Sequence, residues 1–261
     1  VRTDTMSMEN KKQITPTVVA SWKPIRKTKF HLRGFYKNIF RMPTLNDLYY
    51  TFIGNIKLKP EFTNQYNLGF TYAPILQNKW LKNIELQADV YYNEVKNKIV
   101  AVPTSNQFPW TMMTLGMVEI RGLDIAIQTN WELPKQFSID TRLTYTYQKA
   151  QDFTNPKEEY YGDQIPYIPW HSGSLIINAS WQNWDVNYSF IYTGERYDQR
   201  ANIPENYAPE WYTNDISLSR SFRIRNTLYR LTAEVNNLFN QQFEVVKCYP
   251  MPGTNYKFIL T

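Results

Sequence analysis

The chain has 261 residues, enough for one large domain or two modest ones, and a net charge of +6 from 29 basic and 23 acidic residues. That imbalance is small and dispersed, so it does not indicate a nucleic-acid-binding protein. A mean hydropathy of −0.53, with no apolar run near the ~18 residues that a membrane-spanning helix needs, excludes a helical membrane protein, and 16% aromatic residues argue against disorder.

Apolar and polar residues alternate with a period of two in most of the sequence, as in the segment IELQADVYYN at 84–93. In chain order this alternation predicts strands at 18–22, 30–38, 66–72, 84–93, 123–131, 137–148, 175–181, 186–192, 215–222, 231–237 and 255–261. No segment has the pattern of an amphipathic helix. The predicted fold class is therefore all-β, with about eleven long strands, where the mean strand has about five or six residues.

Short and long connections alternate between these strands. The short ones are predicted at 24–28, 74–83, 133–136, 182–184 and 223–227, and the long ones at 40–63, 97–117, 152–172, 198–213 and 238–254. This regularity indicates an antiparallel up-and-down sheet with tight turns at one end and long loops at the other.

Strand length and residue pattern favour a membrane environment over a soluble sandwich. A transmembrane β-strand has about 9 to 11 residues, with one face towards lipid, one towards a wet interior, and aromatic girdles at the interfaces. Aromatic residues of the apolar faces lie next to the tight turns: Trp22, Tyr72, Trp131, Phe137, Trp181 and Phe222. Charged residues lie on the opposite faces: Arg33, Lys37, Glu85, Asp89, Asp124 and Arg142. The alternative is a soluble sandwich with a ring-rich core.

An odd strand number is unusual for a closed single-chain bacterial barrel, which has an even number. A sheet edge left open in lipid has unpaired N–H and C=O groups. We therefore expect this chain to be part of a longer barrel that closes with sequence before Val1.

Several motifs resemble the TonB-dependent outer-membrane receptors. They are FRMPTLNDLYYTFIGNIKLKPEFTNQYNLGF at 40–70, YYNEVKNKI at 91–99, VEIRGLDIAIQTNW at 118–131, IYTGERYD at 191–198 and EVNNLFNQQFEVVKCYPMPGTNYKF at 234–258. Within that family the chain is most similar to the vitamin B12 (cobalamin) receptor branch of Bacteroidetes.

The resemblance implies a 22-stranded barrel around an N-terminal plug. Residues 1–261 would be its last eleven strands, without the plug and the first barrel strands. It also implies a multi-pass β-barrel in the outer membrane of a Gram-negative cell, in contact with lipid. Such a receptor binds a large ligand and imports it with energy delivered by the TonB complex through the plug. A surface lipoprotein is a possible further partner. The resemblance implies no cofactor and no chemistry on the ligand.

Loop residues are the candidates for ligand contact, because barrel proteins concentrate function in the loops of the open end. Aromatic rings beside a few polar groups suit a large amphipathic ligand, such as a corrinoid or an iron chelate. One candidate cluster comprises Tyr160, Tyr161, Tyr167, Trp170, Arg196 and Tyr197, and a second comprises Tyr49, Tyr50, Phe52 and Trp110. The alternative for each ring is packing that keeps the loops ordered.

Three other motifs are expected to be structural. The segment 54–61 contains turn-forming Gly54 and Asn55 and is predicted to guide the chain into the next strand. The segment 236–244 is predicted to anchor a loop by burying Leu238 and Phe239. Gly122, after Arg121, is predicted to interrupt a strand at a bulge or a close backbone approach.

Other functional classes receive little support from the sequence. His171 and Ser172 are adjacent in a strand and so point to opposite faces, which disfavours a hydrolase pair. Two distant histidines and the single Cys248 provide no metal-ligand spacing. A calcium site at Glu158, Glu159 and Asp163 is less favoured than a solvated acidic loop. A siderophore or haem receptor and a passive porin are the remaining alternatives to a cobalamin receptor.

Overall fold

The computed structural model describes residues 12–25, 29–50, 53–103 and 110–261. Its strands are β1 (Thr17–Trp22), β2 (Lys29–Arg41), β3 (Glu61–Ala73), β4 (Leu81–Pro103), β5 (Trp110–Leu133), β6 (Phe137–Asp152), β7 (His171–Trp181), β8 (Trp184–Thr193), β9 (Arg196–Tyr197), β10 (Tyr207–Ala208), β11 (Trp211–Ile224), β12 (Thr227–Asn236), β13 (Glu244–Val246), β14 (Tyr249–Pro250) and β15 (Asn255–Leu260). Two short helices lie in the loops: α1 (Leu45–Tyr49) and a 3₁₀ turn (Pro204–Asn206). The sequence had predicted no helix.

Eleven strands form one antiparallel sheet in the order β1-β2-β3-β4-β5-β6-β7-β8-β11-β12-β15. Each strand pairs with the strand that precedes it along the sheet, which confirms the all-β, up-and-down prediction. The pairs β9–β10 and β13–β14 are separate two-stranded elements within loops. Tight connections lie at one end of the sheet, the turn end. Loops 42–60, 153–170, 194–210 and 237–254 lie at the other, the loop end.

The prediction of a long loop over 97–117 is wrong for 98–103 and 110–115, and its middle part, 104–109, lies outside the described residues. β4 and β5 stay paired far beyond the neighbouring strands, from Lys98 opposite Leu115 to Pro103 opposite Trp110. We call this paired part, 98–103 with 110–115, the extended hairpin. It projects from the sheet at the loop end.

The register separates two faces of the sheet. Tyr36, Tyr66 and Tyr92 are directly opposite one another on β2, β3 and β4, and the residues that alternate with them form the other face. The first, or apolar, face is largely uncovered: Leu68 is 66% and Val90 58% exposed. It carries the six girdle aromatics predicted for the turn end. The second, or polar, face carries the six charged residues predicted for the interior.

The buried apolar core lies at the loop end. One cluster joins Val95, Leu115, Val118, Ile120 and Ala150 of β4–β6 to Ile165 of loop 153–170. A second joins Ile99 of the extended hairpin to Leu48 of α1 and Leu58 of loop 42–60. The extended hairpin is thus packed between two loops, and burial stabilises the loops rather than the middle of the sheet.

Gly122 does not interrupt its strand. It pairs regularly with Tyr91 on β4 and Gln148 on β6, without a bulge. A Cβ at this position would be 2.1 Å from the Tyr91 ring carbon Cζ. The glycine is therefore required by the close approach of a side chain, which corrects the predicted bulge or backbone approach.

Loop 237–254 is anchored differently from the prediction. Leu238 and Phe239 are 39% and 67% exposed, so neither is the buried anchor. Asn237 is the anchor: its backbone N–H donates to Asp215 Oδ1 at 2.8 Å, and its side-chain amide donates to the Gln241 carbonyl at 2.9 Å. A buried amide replaces the expected apolar contact because it can bond several backbone groups at once.

The segment 54–61 has the structural role predicted for it. The Gly54 N–H donates to the Tyr50 carbonyl at 2.7 Å, and the Asn55 side chain accepts from the Lys57 N–H at 2.9 Å. The same Asn55 side chain donates to the Met112 carbonyl at 2.9 Å. This turn therefore fixes loop 42–60 on the extended hairpin. None of the helices in the described part of the chain is long and apolar enough to cross a bilayer.

Candidate functional site

At the loop end, loop 194–210 is joined to the last residue of β6, where loop 153–170 begins, by an ion pair whose carboxylate is buried. Asp152, the last residue of β6, is buried and accepts from Arg200 Nη2 at 2.7 Å and Nε at 3.2 Å. The Arg200 guanidinium also lies 3.9 Å above the centre of the Tyr160 ring. Tyr160 is therefore engaged by a cation of its own chain.

A second connection between these two loops is a reciprocal amide contact. The Gln164 N–H donates to Asn202 Oδ1 at 2.7 Å, and the Asn202 side chain returns a bond to the Gln164 carbonyl at 3.1 Å. The Asn202 N–H donates to Asp163 Oδ2 at 2.9 Å. The Asp163 carboxylate, which the sequence analysis considered as a calcium ligand, thus accepts a hydrogen bond from the protein's own backbone. In the described residues no group of three or more His, Cys, Asp or Glu is arranged to hold a metal ion.

Arg196 joins loop 194–210 to loop 237–254. It is 3% exposed, and its guanidinium donates to the Pro209 carbonyl at 3.0 Å, the Glu244 carbonyl at 2.6 Å and the Val245 carbonyl at 3.1 Å. Burial lowers the pKa of this guanidinium. The predicted ligand-contact residue therefore forms a connection between loops.

Asp198 and Lys247 connect the same two loops. The Lys247 ammonium lies 3.0 Å from Asp198 Oδ2 and donates to the Glu205 carbonyl at 2.7 Å. Asp198 is buried, so this pair is shielded from solvent more than an ordinary surface ion pair.

Tyr167 brings the two predicted aromatic clusters together. Its ring stacks on that of Trp110, with centroids 5.5 Å apart, and its backbone N–H donates to the Tyr197 carbonyl at 2.8 Å. Burial raises the pKa of the Tyr167 phenol. Tyr197 in turn makes an edge contact with Tyr207 at 5.9 Å. These rings serve the packing role that the sequence left open as an alternative.

The remaining candidates occupy different surroundings. Tyr49 and Tyr50 are 58% and 59% exposed at the end of α1, and Tyr161 is 43% exposed against the Phe153 ring. The Lys149 ammonium lies 4.9 Å from the centre of the Trp170 ring. Trp170 directly precedes His171, which lies on the apolar face opposite Tyr147. Phe52 lies outside the described residues. The exposed tyrosines are therefore the candidates most available to a ligand.

Sequence reasoning missed most of the residues that hold the loops together. Asp152, Arg200 and Asn202 are polar loop or strand-end residues outside the motifs. Asp198 and Lys247 lie within the motifs at 191–198 and 234–258, which gave no sign of their role. A weak signal was the concentration of charged and amide residues in 195–206, beside rather than within the aromatic segment. Only the folded sheet brings their partners within reach.

The fold and these loops define a class of protein. Long antiparallel strands, one uncovered apolar face, one polar face and interlocked loops at one end are the features of the wall of a transmembrane β-barrel. The chain belongs to the TonB-dependent receptors, because the family model described as "TonB dependent receptor-like, beta-barrel" matches residues 1–238. Members of this family are outer-membrane transporters and receptors.

Curated relatives agree with this assignment. The chain is 24% identical over 234 residues to the vitamin B12 transporter BtuB of Vibrio vulnificus strain YJ016, covering 83% of this chain and 32% of that protein. It is similarly 24% identical over 220 residues to BtuB of Photobacterium profundum, with the same two coverages. The chain thus spans about a third of the length of these curated relatives.

Solved structures confirm the fold. The unliganded ferric citrate transporter FecA superposes with a TM-score of 0.69 at 14% identity, covering 94% of this chain and 37% of that one. The ferric-catecholate import receptor Fiu from E. coli K12 gives a TM-score of 0.66 at 17% identity, covering 94% and 34%.

Proposed function

We propose that this chain forms the C-terminal part of the barrel of an outer-membrane receptor that imports cobalamin with TonB-coupled energy. In the intact receptor the apolar face contacts membrane lipid, and the polar face lines the interior. A plug and the preceding barrel strands complete the molecule. The plug contacts the TonB complex, and a surface lipoprotein is a possible partner at the loop end.

One observation carries the proposal: the loops form a single interlocked assembly with exposed tyrosines. Arg196, Arg200 and Asn202 join loops that are far apart in the sequence. A passive pore gains nothing from ordering its loops, whereas a receptor reduces the entropic cost of binding by preorganising them. The similarity to BtuB favours cobalamin, and the structural likeness to receptors for iron chelates makes a siderophore or haem the second candidate.

Ligand binding and import by the full-length receptor test this function. The receptor is expressed in a Gram-negative host that lacks its own cobalamin receptor, and labelled cyanocobalamin is measured on the cells with and without TonB. We expect saturable submicromolar binding in both strains and accumulation only with TonB. Non-saturable entry independent of TonB would instead identify a porin, and saturable uptake of a ferric chelate alone would identify the second candidate.

The exposed Tyr161 provides a test of the proposed ligand-contact surface. Tyr161→Ala in the full-length receptor should weaken cobalamin binding about tenfold, because Tyr is enriched among the minority of contact residues whose truncation costs more than about 1 kcal/mol, and about 1.4 kcal/mol is a factor of ten. Phe239→Ala is the matched control, since Phe239 is an exposed ring on loop 237–254 outside the candidate clusters. Binding constants measured on whole cells should differ between the two variants. Equal affinities would remove Tyr161 from the surface.

A further inference from the structure

Two arginines interrupt the apolar face within the described strands, one towards each end. Arg121 lies directly opposite Tyr92 towards the loop end, and Arg220 lies directly opposite Trp184 near the turn end. Each guanidinium lies over the ring of its neighbour, with its Cζ 5.8 Å and 4.8 Å from the respective ring centres. A cation on a face that meets lipid needs a counter-charge close by. The two arginines differ in whether the protein provides one.

Arg121 has a counter-charge within its own strand, whereas Arg220 has none. Arg121 Nη2 donates to Glu119 Oε2 at 2.8 Å. No carboxylate of the described residues lies within ion-pair distance of the Arg220 guanidinium, whose one recorded contact is the Trp184 ring. The hairpin around it adds no acid, since residues 220–230 contain four arginines and neither Asp nor Glu. Arg220 therefore carries an unbalanced positive charge on the apolar face.

Arg220 lies within the aromatic girdle of the turn end. A row of directly opposed residues on the apolar face contains Phe137, Trp181, Trp184, Arg220 and Leu231. Tryptophan rings are enriched at the level of the lipid headgroups, and an arginine costs little at that level because its long side chain reaches the phosphates. The fork of guanidinium donors also matches the oxygens of a phosphate. In the proposed membrane position, the counter-charge for Arg220 is therefore a lipid phosphate.

We infer that Arg220 and Trp184 form a binding site for the headgroup of an anionic phospholipid in the leaflet at the turn end. The guanidinium binds the phosphate, and the acyl chains lie along the exposed Leu218 and Leu231 of the same face. An anionic lipid is favoured over a zwitterionic one, because a zwitterionic headgroup brings its own cation to a hairpin that has no acidic residue.

The site lies on the outside of the barrel wall, so its accessibility does not depend on what fills the interior. The inference rests on the proposed membrane position of the apolar face and goes beyond the proposed transport function, since it assigns a lipid to a particular place on the wall.

A fluorescent label next to Arg220 in the full-length receptor tests which lipid occupies the site. The label is attached to a cysteine introduced at Leu231, directly opposite Arg220, in a receptor without other cysteines. A second receptor carries it at Leu123, on the same face two residues from Arg121. Both are reconstituted in phosphatidylcholine vesicles with a minor fraction of phosphatidylglycerol. Quenching bromine atoms are placed on the acyl chains of the phosphatidylglycerol or of an equal amount of the phosphatidylcholine. The ratio of the two quenching efficiencies measures local enrichment of the anionic lipid.

We expect phosphatidylglycerol to be enriched about fivefold at Leu231 and not at Leu123, because a basic residue at an anionic membrane surface contributes about that factor. Arg220→Gln should abolish the enrichment at Leu231. Arg220→Lys should keep part of it, since an ammonium keeps the charge without the fork. Arg121→Gln is the matched control, because it removes the same charge from the same face at a place where Glu119 already balances it. It should leave the ratio at Leu231 unchanged.

Enrichment that survives Arg220→Gln in the folded receptor overturns the inference, and so does equal enrichment at the two labels. An equal loss in Arg121→Gln would reduce the effect to net charge and overturn it as well. Quenching at Leu123 without any quenching at Leu231 would show that protein rather than lipid covers the site, which also contradicts the inference. Absence of quenching by brominated phosphatidylcholine at both labels would instead refute the proposed membrane position of the apolar face.

Discussion

Arg196→Met should release two loops at once and weaken ligand binding by more than any substitution of an exposed ring. The buried guanidinium holds the carbonyls of Pro209, Glu244 and Val245. Hydrogen bonds to a charged group contribute about 1.5–3 kcal/mol each. Pro209, Glu244 and Val245 are themselves exposed, so water can replace the guanidinium at their carbonyls. We expect the free energy of loop opening to fall by about 3 kcal/mol, after relaxation and water entry recover part of the loss.

Hydrogen exchange of the full-length receptor measures this effect directly. Amides in 194–210 and 237–254 should exchange about 100-fold faster, while the strands of the sheet stay protected. Arg223→Met is the control, because Arg223 is an exposed arginine near the turn end of β11. Arg196→Lys should give an intermediate rate, since one ammonium cannot reproduce the fork of a guanidinium. Unchanged loop exchange in Arg196→Met would show that the loops are ordered by other contacts.

Val90→Arg should strongly destabilise the receptor, although Val90 is among the more exposed residues of the chain. Its side chain lies on the apolar face between Leu68 and Leu123. If that face contacts lipid, an arginine near the middle of the bilayer costs about 2–4 kcal/mol. The same change on the surface of a soluble sheet would alter stability by only about 0.5 kcal/mol.

Urea unfolding of the full-length receptor in phospholipid vesicles provides the comparison. Ser189→Arg is the matched control, since Ser189 lies on the polar face in the middle of β8, opposite Asp215. We expect a large loss of unfolding free energy for Val90→Arg and little for Ser189→Arg. Similar values for the two variants would mean that the two faces have the same solvent.

The strands could be predicted because the alternation of side chains is a local property of the sequence. The extended hairpin escaped prediction for a physical reason. Ile99 and Met112 pack against loop 42–60, while Val100 and Met113 pack against the cluster that contains Ile165. With both faces covered, this part of β4 and β5 has no polar side to alternate with, so its sequence lacks the period of two.

The candidate site was predicted in part, and the outcome depended on the kind of residue. Aromatic loop residues were recognised, and the structure does join Trp110 to Tyr167. The role of Arg196 was not recognised, because its acceptors are carbonyls of a loop almost fifty residues away. Backbone acceptors leave no trace in the sequence, so connections of this type require the fold.

The central claim is that the two faces of the sheet meet different solvents. Nitroxide labels placed one at a time along β8 of the full-length receptor in vesicles test it, with oxygen and a water-soluble nickel complex as relaxing agents. Val186, Tyr188 and Phe190 on the apolar face should be relaxed mainly by oxygen, and Asn187 and Ser189 on the polar face should not. Oxygen accessibility that does not alternate along the strand, or that peaks on the polar face, would contradict the account.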